Sequence, residues 1–190
     1  FDGPLDMRMD RRGKVTAATL VASLSEEELS ELLRRHGDEP EHVRIARKIV
    51  ERRAIEPITR TRQLAYLVLR TLKMTPDEWK EHADRNPGAR HPAARTFQAL
   101  RMAVNDEIGQ LEHLLRTVPW CLKPGGRVVI LSFHSGEDGR VAEAFEKGLA
   151  DGTWSEITTE AIRPLVAERR DNPRAASARL RRAVRAPSSE

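Results

Sequence analysis

Hydrophobic residues recur at spacings of three and four through the first two thirds of the chain, which is the helical period. Residues 16–23 read as a short apolar helix. Ser25-Glu26-Glu27-Glu28 opens a second helix as a capping box, with the Ser25 hydroxyl accepting from the Glu28 amide and the Glu28 carboxylate reaching back. Leu29, Leu32 and Leu33 form its buried stripe, and Gly37 is expected to end it in the left-handed conformation. A third helix is predicted over 41–54. Val43, Ala46, Val50 and Ala54 share one face, and Arg44, Lys48 and Arg52 fall on the opposite one. After Pro57, Thr59 or Thr61 is expected to cap a fourth helix whose Leu64, Leu67, Val68 and Leu72 face inward. Residues 73–92 hold three prolines and read as a long loop with at most one turn around 77–82. The longest helix is predicted over 93–118, with Phe97, Leu100, Val104, Ile108, Leu111, Leu115 and Val118 on its stripe.

Beyond the tight turn at Lys123-Pro124-Gly125-Gly126 the period changes. Val128-Val129-Ile130-Leu131 is a run of aliphatics. It predicts a strand buried on both faces, as in parallel sheets covered by helices. Helix returns over 136–149, a strand is plausible at 153–158, and 178–184 alternates weakly as a last strand. Residues 1–12 read as a loop. The fold class is therefore α/β, with a helical block over 13–92 set before an α/β block over 93–190.

Composition removes several classes of function. Hydrophobic residues make up 39% of the 190, enough for a packed core and against global disorder. No run of 18 apolar residues exists, so no transmembrane helix is expected. No secretory pattern opens the chain. Cys121 is the single cysteine, which excludes an intrachain disulfide and a thiolate zinc cluster and fits a reducing, cytoplasmic setting. The chain opens on Phe1, so it is expected to be processed or to have residues upstream. Net charge is only +4, but it is unevenly spread. Residues 41–70 hold eight basic and three acidic side chains, and residues 174–190 hold five arginines and one acid. Two basic segments point to a polyanion, most simply nucleic acid, against the alternative of a solvated surface. Aromatics at 4% argue against a base-stacking platform. Neither a Gly-x-Gly-x-x-Gly loop nor a P-loop is present, and no paired histidines suggest a metal site.

Four constellations carry candidate chemistry. Ser132-Phe133-His134-Ser135, with Glu137 and Asp138, stands at the carboxyl end of the predicted strand, where α/β sheets collect ligands. His134 suits proton transfer or hydrogen bonding near neutral pH. The alternative is a polar loop in which Ser135 and Asp138 cap the next helix. Asp2-Gly3-Pro4-Leu5-Asp6-Met7-Arg8-Met9 lines a pocket or forms a surface turn. Arg95, Gln98, Arg101 and Asn105 form a polar stripe on the long helix, either bracing it or touching substrate. Asn in a helix interior is locally unfavourable, so Asn105 is expected to have a partner. Asn172-Pro173-Arg174, followed by Ser177, Arg179, Arg181 and Arg182, suits phosphate or carboxylate, unless it is a solvated tail.

Taken in order, DGPLDMRM at 2–9, HPAARTFQALR at 91–101, VNDE at 104–107, Pro124-Gly125-Gly126, Ser132-Phe133-His134-Ser135 with Glu137-Asp138, and Asn172-Pro173-Arg174 with Ser177 resemble the RsmH (MraW) family. These are the S-adenosylmethionine-dependent 16S rRNA cytosine-N4 methyltransferases of bacteria. The resemblance covers essentially the whole chain. It implies the C-terminal part of a class I, Rossmann-like methyltransferase sheet with an inserted all-helical domain that helps recognise the ribosomal substrate. On this resemblance His134, Asp6 and Asp138 are the catalytic candidates. Arg44, Lys48, Arg52, Arg95, Gln98, Arg101, Asn105, Ser135, Asn172 and Arg174 are the substrate-binding ones. The cofactor, S-adenosyl-L-methionine, is expected to be held by residues upstream of Phe1. The implied partner is 16S rRNA or the small ribosomal subunit, with no metal and no membrane. Its last three strands would leave the strand at 128–132 without a neighbour on one side, open to homodimerisation or other association. Gly136 and Gly139 depart from the family pattern and are expected to loosen the start of the following helix. The competing expectation is a non-catalytic RNA-binding helical module or adaptor derived from such an enzyme.

Overall fold

Leu5 sits at the centre of the first of two units into which the chain divides, residues 1–107 and 108–190. The computed structural model describes residues 2–86 and 88–187. In the first unit, α1 (Ala17–Ser23), α2 (Glu26–Gly37), α3 (His42–Arg53), α4 (Thr61–Thr71), α5 (Pro76–Arg85) and α6 (Ala94–Val104) follow one another. Their core joins Leu5 to Val21, Leu29, Leu33, Ile45, Ile49, Leu64, Val68 and Leu100.

Several predicted elements hold with altered details. The Ser25–Glu28 capping box forms as expected. Asp38, not Gly37, takes the left-handed conformation after α2, with φ 46°. Gly37 is needed for a different reason, since a Cβ there would come within 2.6 Å of the Arg95 carbonyl on α6. On α3 the buried residues are Ile45, Ala46 and Ile49, while Val43 lies exposed, so the stripe is rotated from the one expected. Helix α4 is capped by neither Thr59 nor Thr61. Asp2 reaches across from the N-terminal loop, and its Oδ1 accepts from the Arg62 amide at 3.1 Å and from the Thr61 hydroxyl. The expected loop at 73–92 contains α5. Thr75 and Glu78 form a capping box with Pro76 in the first turn, where its missing N–H costs nothing.

The predicted long helix is two helices. Asp106, at φ 47°, separates α6 from α7 (Glu107–Cys121). Helix α6 packs on α2, and Ala99 and Leu100 join the core of the first unit, so the unit boundary falls inside the stretch expected as one helix.

The second unit contains α7, β1 (Arg127–Ser132), α8 (Ser135–Ala150), β2 (Trp154–Ile157), α9 (Val166–Asp171), a 3-10 turn at Pro173–Ser177 and β3 (Arg179–Arg185). The strands form one sheet in the order β1-β3-β2, and both pairings are antiparallel. This corrects the expectation of a parallel sheet with β1 buried on both faces. Val128 and Ile130 pack into the core with Leu115, Val141, Phe145 and Trp154. Val129 and Leu131 point to the other face and are more than half exposed. Among the described residues β1 is an edge strand, as the resemblance implied. No described helix is long and apolar enough to cross a membrane.

Candidate functional site

Strand β1 ends at Ser132, and His134 takes the extended N-cap position of α8. Its Nδ1 accepts from the Glu137 amide at 3.3 Å, which places the ring proton of the neutral form on Nε2. Nε2 lies 3.1 Å from Glu137 Oε1, off the line of a hydrogen bond, so this buried nitrogen has no hydrogen-bond partner among the described residues. The Phe133 amide donates to the other carboxylate oxygen of Glu137 at 3.1 Å. The His134 ring, aided by the Phe133 and His134 amides, holds the Glu137 carboxyl below its ordinary value against the opposing effect of burial. The turn is therefore a reciprocal cap between His134 and Glu137. It keeps α8 regular from Ser135 onward even though Gly136 and Gly139 lie in its first turns.

Asp138, a catalytic candidate, does not pair with His134. It points to β3, where Arg181 grips it through Nε (2.8 Å) and Nη2 (3.1 Å), with Arg179 Nε at 3.7 Å. Arg181 is 8% exposed and also donates to the Thr159 carbonyl. The Arg181 guanidinium holds the Asp138 carboxyl below its ordinary value. Glu137 instead orients the histidine.

In the first unit, the 2–9 loop is tied down along its length. Leu5 exchanges backbone hydrogen bonds with Thr59 and Ala18. Arg8 forms a two-pronged pair with Asp6 (2.7 Å on each side), and the Arg8 amide adds a third bond to Asp6 Oδ1. These bonds hold the Asp6 carboxyl at about 2. Met7 sits at φ 67°, an uncommon conformation for a residue with a side chain. Asn105 maintains it, donating to the Met7 carbonyl (2.9 Å) and accepting from the Met9 amide (2.7 Å). The partner expected for Asn105 is thus the loop itself. The rest of that stripe is also committed within the unit. Arg95 donates to the Asp38 carbonyl and Gln98 to the His36 carbonyl, satisfying acceptors at the end of α2. Arg101 forks onto Glu107.

The cationic stripe of α3 is less free than its spacing suggested. Arg44 pairs with Glu41, Lys48 with Glu51 and Arg52 with Glu56. The C-terminal arginines divide similarly. Arg181 and Arg182 have acidic partners, and Arg185 lies over the Trp120 ring at 5.3 Å. Arg174 and Asn172 lie exposed around the 3-10 turn. Among the described residues no group of three or more His, Cys, Asp or Glu side chains is arranged to hold a metal ion.

A model of the MraW methylase family matches residues 1–186. The chain belongs to the MraW methylase family. Three curated relatives illustrate the match, each named ribosomal RNA small subunit methyltransferase H. That of Acidothermus cellulolyticus is 46% identical, with 96% of this chain aligned to 57% of the relative. That of Cereibacter sphaeroides is 44% identical over 97% of this chain and 57% of its own length. That of Solidesulfovibrio magneticus is 43% identical over 99% and 60%. The chain thus spans somewhat more than half the length of these relatives. Of the six motifs that carried the resemblance, those at 2–9, along α6 with Asn105, and at the His134–Glu137 turn coincide with the braces described above.

Proposed function

We propose that this chain is part of a methyltransferase that moves a methyl group from S-adenosylmethionine to the exocyclic N4 amine of a cytidine in 16S rRNA, and that it supplies the acceptor side of that reaction. The observation that carries this reading is the family match over 1–186, together with the names of relatives above 40% identity. The helical unit, with its basic α3–α4 segment, is in this reading the substrate-recognition insertion.

The cofactor supplies an activated methyl when bound. At the β1–α8 turn two backbone amides are already engaged: the Glu137 amide by His134 and the Phe133 amide by Glu137. No strand there opens into a helix through a free glycine loop, so these residues do not fit an adenosyl group. The chain's own contribution is to hold the base. A cytosine amine is conjugated with its ring and is a weak nucleophile, so it must be held close to the methyl while its N–H groups find acceptors.

Asp6 remains ionised throughout the neutral range and serves as a fixed acceptor rather than a proton store. His134, bound to Glu137 through Nδ1, acts as a positioning residue for the β1–α8 turn and for Ser135. Asp138 secures α8 to β3 through Arg181. Arg44, Lys48, Arg52 and Arg174, with Asn172 beside the last, contact phosphates, which adds affinity without sequence choice.

The test is radiolabelled methyl transfer from S-adenosylmethionine to small ribosomal subunits by the protein of the full reading frame, with the product mapped by mass spectrometry. Label at the N4 position of a 16S cytidine is expected. Label confined to another position or another RNA overturns the assignment, and RNA binding without any label returns the chain to a binding module.

A further inference from the structure

Helix α4 carries a feature that the α3 charge stripe concealed. Arg62, Tyr66 and Arg70 stand at i, i+4 and i+8, and all three are exposed. They therefore share one face, with a rise of about 6 Å along the axis at each step. The three cations of the α3 stripe are each matched by a glutamate, whereas neither Arg62 nor Arg70 has an acidic partner among the described residues. Arg53 of α3, which donates to the Val21 carbonyl, also lacks an acidic partner, but on α4 two such cations stand on either side of an aromatic ring.

Beside that ring is a groove of about 560 Å3 between α3 and α4. Tyr66, Leu67 and Arg70 line one wall, and Lys48, Arg52 and Ile55 line the other together with Glu51, whose carboxylate is taken by Lys48. Its volume lies within the range of small-molecule sites. Tyr66 is 45% exposed and Ile55 is 82% exposed. A low overall aromatic content does not bear on a single ring placed this way.

We propose that the α3–α4 groove docks single-stranded RNA, one base stacking on the Tyr66 ring while Arg62 and Arg70 hold the phosphates that flank it. Charge complementarity commits the site to a polyanion: residues 41–70 hold eight basic and three acidic side chains. The ring between two free cations selects a strand whose bases are open. Stacking needs an exposed base face, which a duplex keeps inside its own stack. The choice of RNA rests on the methyltransferase reading above and deepens it by naming where an unpaired segment of the substrate lies.

The experiment titrates a fluorescein-labelled, single-stranded RNA oligomer with the chain and follows anisotropy across a salt series. A duplex of the same sequence and polyglutamate serve as competitors. Tyr66→Ala should weaken binding about tenfold at fixed salt, the loss of one stacked base. Tyr66→Phe keeps the ring and should bind within about twofold of the unmodified chain. Replacing Arg62 and Arg70 together with Ala should flatten the slope of log affinity against log salt by about 1.4. Circular dichroism confirms that these surface variants stay folded. Undiminished binding by Tyr66→Ala overturns the proposal, as does displacement by the duplex or polyglutamate as readily as by single strands. Failure of the methyltransferase reading registers separately, as absence of methyl incorporation by a protein with Tyr66 intact.

Discussion

At the scale of single residues, the side chains that looked most chemical are the ones most heavily engaged with the rest of the chain. Asp138 shows why. It is held by Arg181 on the core face of β3, where both side chains are largely buried. Breaking a buried pair leaves an uncompensated charge, at a cost of about 3–5 kcal/mol. Asp138→Asn should therefore lower the melting temperature by roughly 6–20 °C at pH 7. The pH dependence has a definite sign. Asp138's folded value lies below its ordinary one, so its stabilisation is complete above about pH 4 and lost as pH falls through the lowered value. The difference between the unmodified chain and Asp138→Asn should accordingly shrink at pH 3. Thermal melts at both pH values check this, and a difference that stays constant contradicts it. Asp6 differs in being open to water, with its charge stabilised locally by Arg8 rather than by a distant element.

At the scale of elements, β1 is the exposed liability of the second unit. One face packs on α8, while Val129, Leu131 and the neighbouring Phe133 stand at least half exposed on the other side. Among the described residues only one edge of the strand is paired, with β3. Unpaired backbone groups beside apolar side chains form a template for another strand. A second copy of the chain is the available partner in a purified sample. Val129→Lys with Leu131→Lys should shift sedimentation at high concentration toward the monomer and leave the far-ultraviolet spectrum unchanged. Equal self-association in the two proteins would remove β1 as its cause. Helix α5 makes the contrasting point. Its Thr75-Pro76-Asp77-Glu78 opening carries the full signature of a helix start, yet prolines nearby read as a loop. Pro76 belongs to the first turn, where proline is favoured.

At the scale of the whole molecule, the chain is family-matched over residues 1–186, and the acceptor side of the reaction is the part proposed for it. A measurable consequence follows for the cofactor. At the β1–α8 turn the Phe133 amide is taken by Glu137 and the Glu137 amide by His134, so neither is free to hold a cofactor. Calorimetry with the 190-residue chain should show no micromolar binding of S-adenosylmethionine. A micromolar dissociation constant would place a cofactor cradle within these residues and contradict the division of labour proposed here.

Periodicity and capping rules were enough to locate most helices and all three strands, because those signals are local. The Ser25–Glu28 box, the aliphatic run at 128–131 and the turn at Pro124-Gly125-Gly126 each specify a few neighbouring dihedrals and no more. The order of six short motifs was enough to identify the family. Long-range pairing carried the rest. Asp2 caps a helix sixty residues away, Asn105 clamps Met7 and Met9 from the far end of the unit, and Arg181 rather than His134 receives Asp138. The direction of β1's neighbour and the exposure of its second face were equally out of reach. Both depend on which strand returns to pair with it. A hydrogen bond or ion pair across tens of residues has no spacing to betray it, since its geometry exists only after the intervening helices have packed.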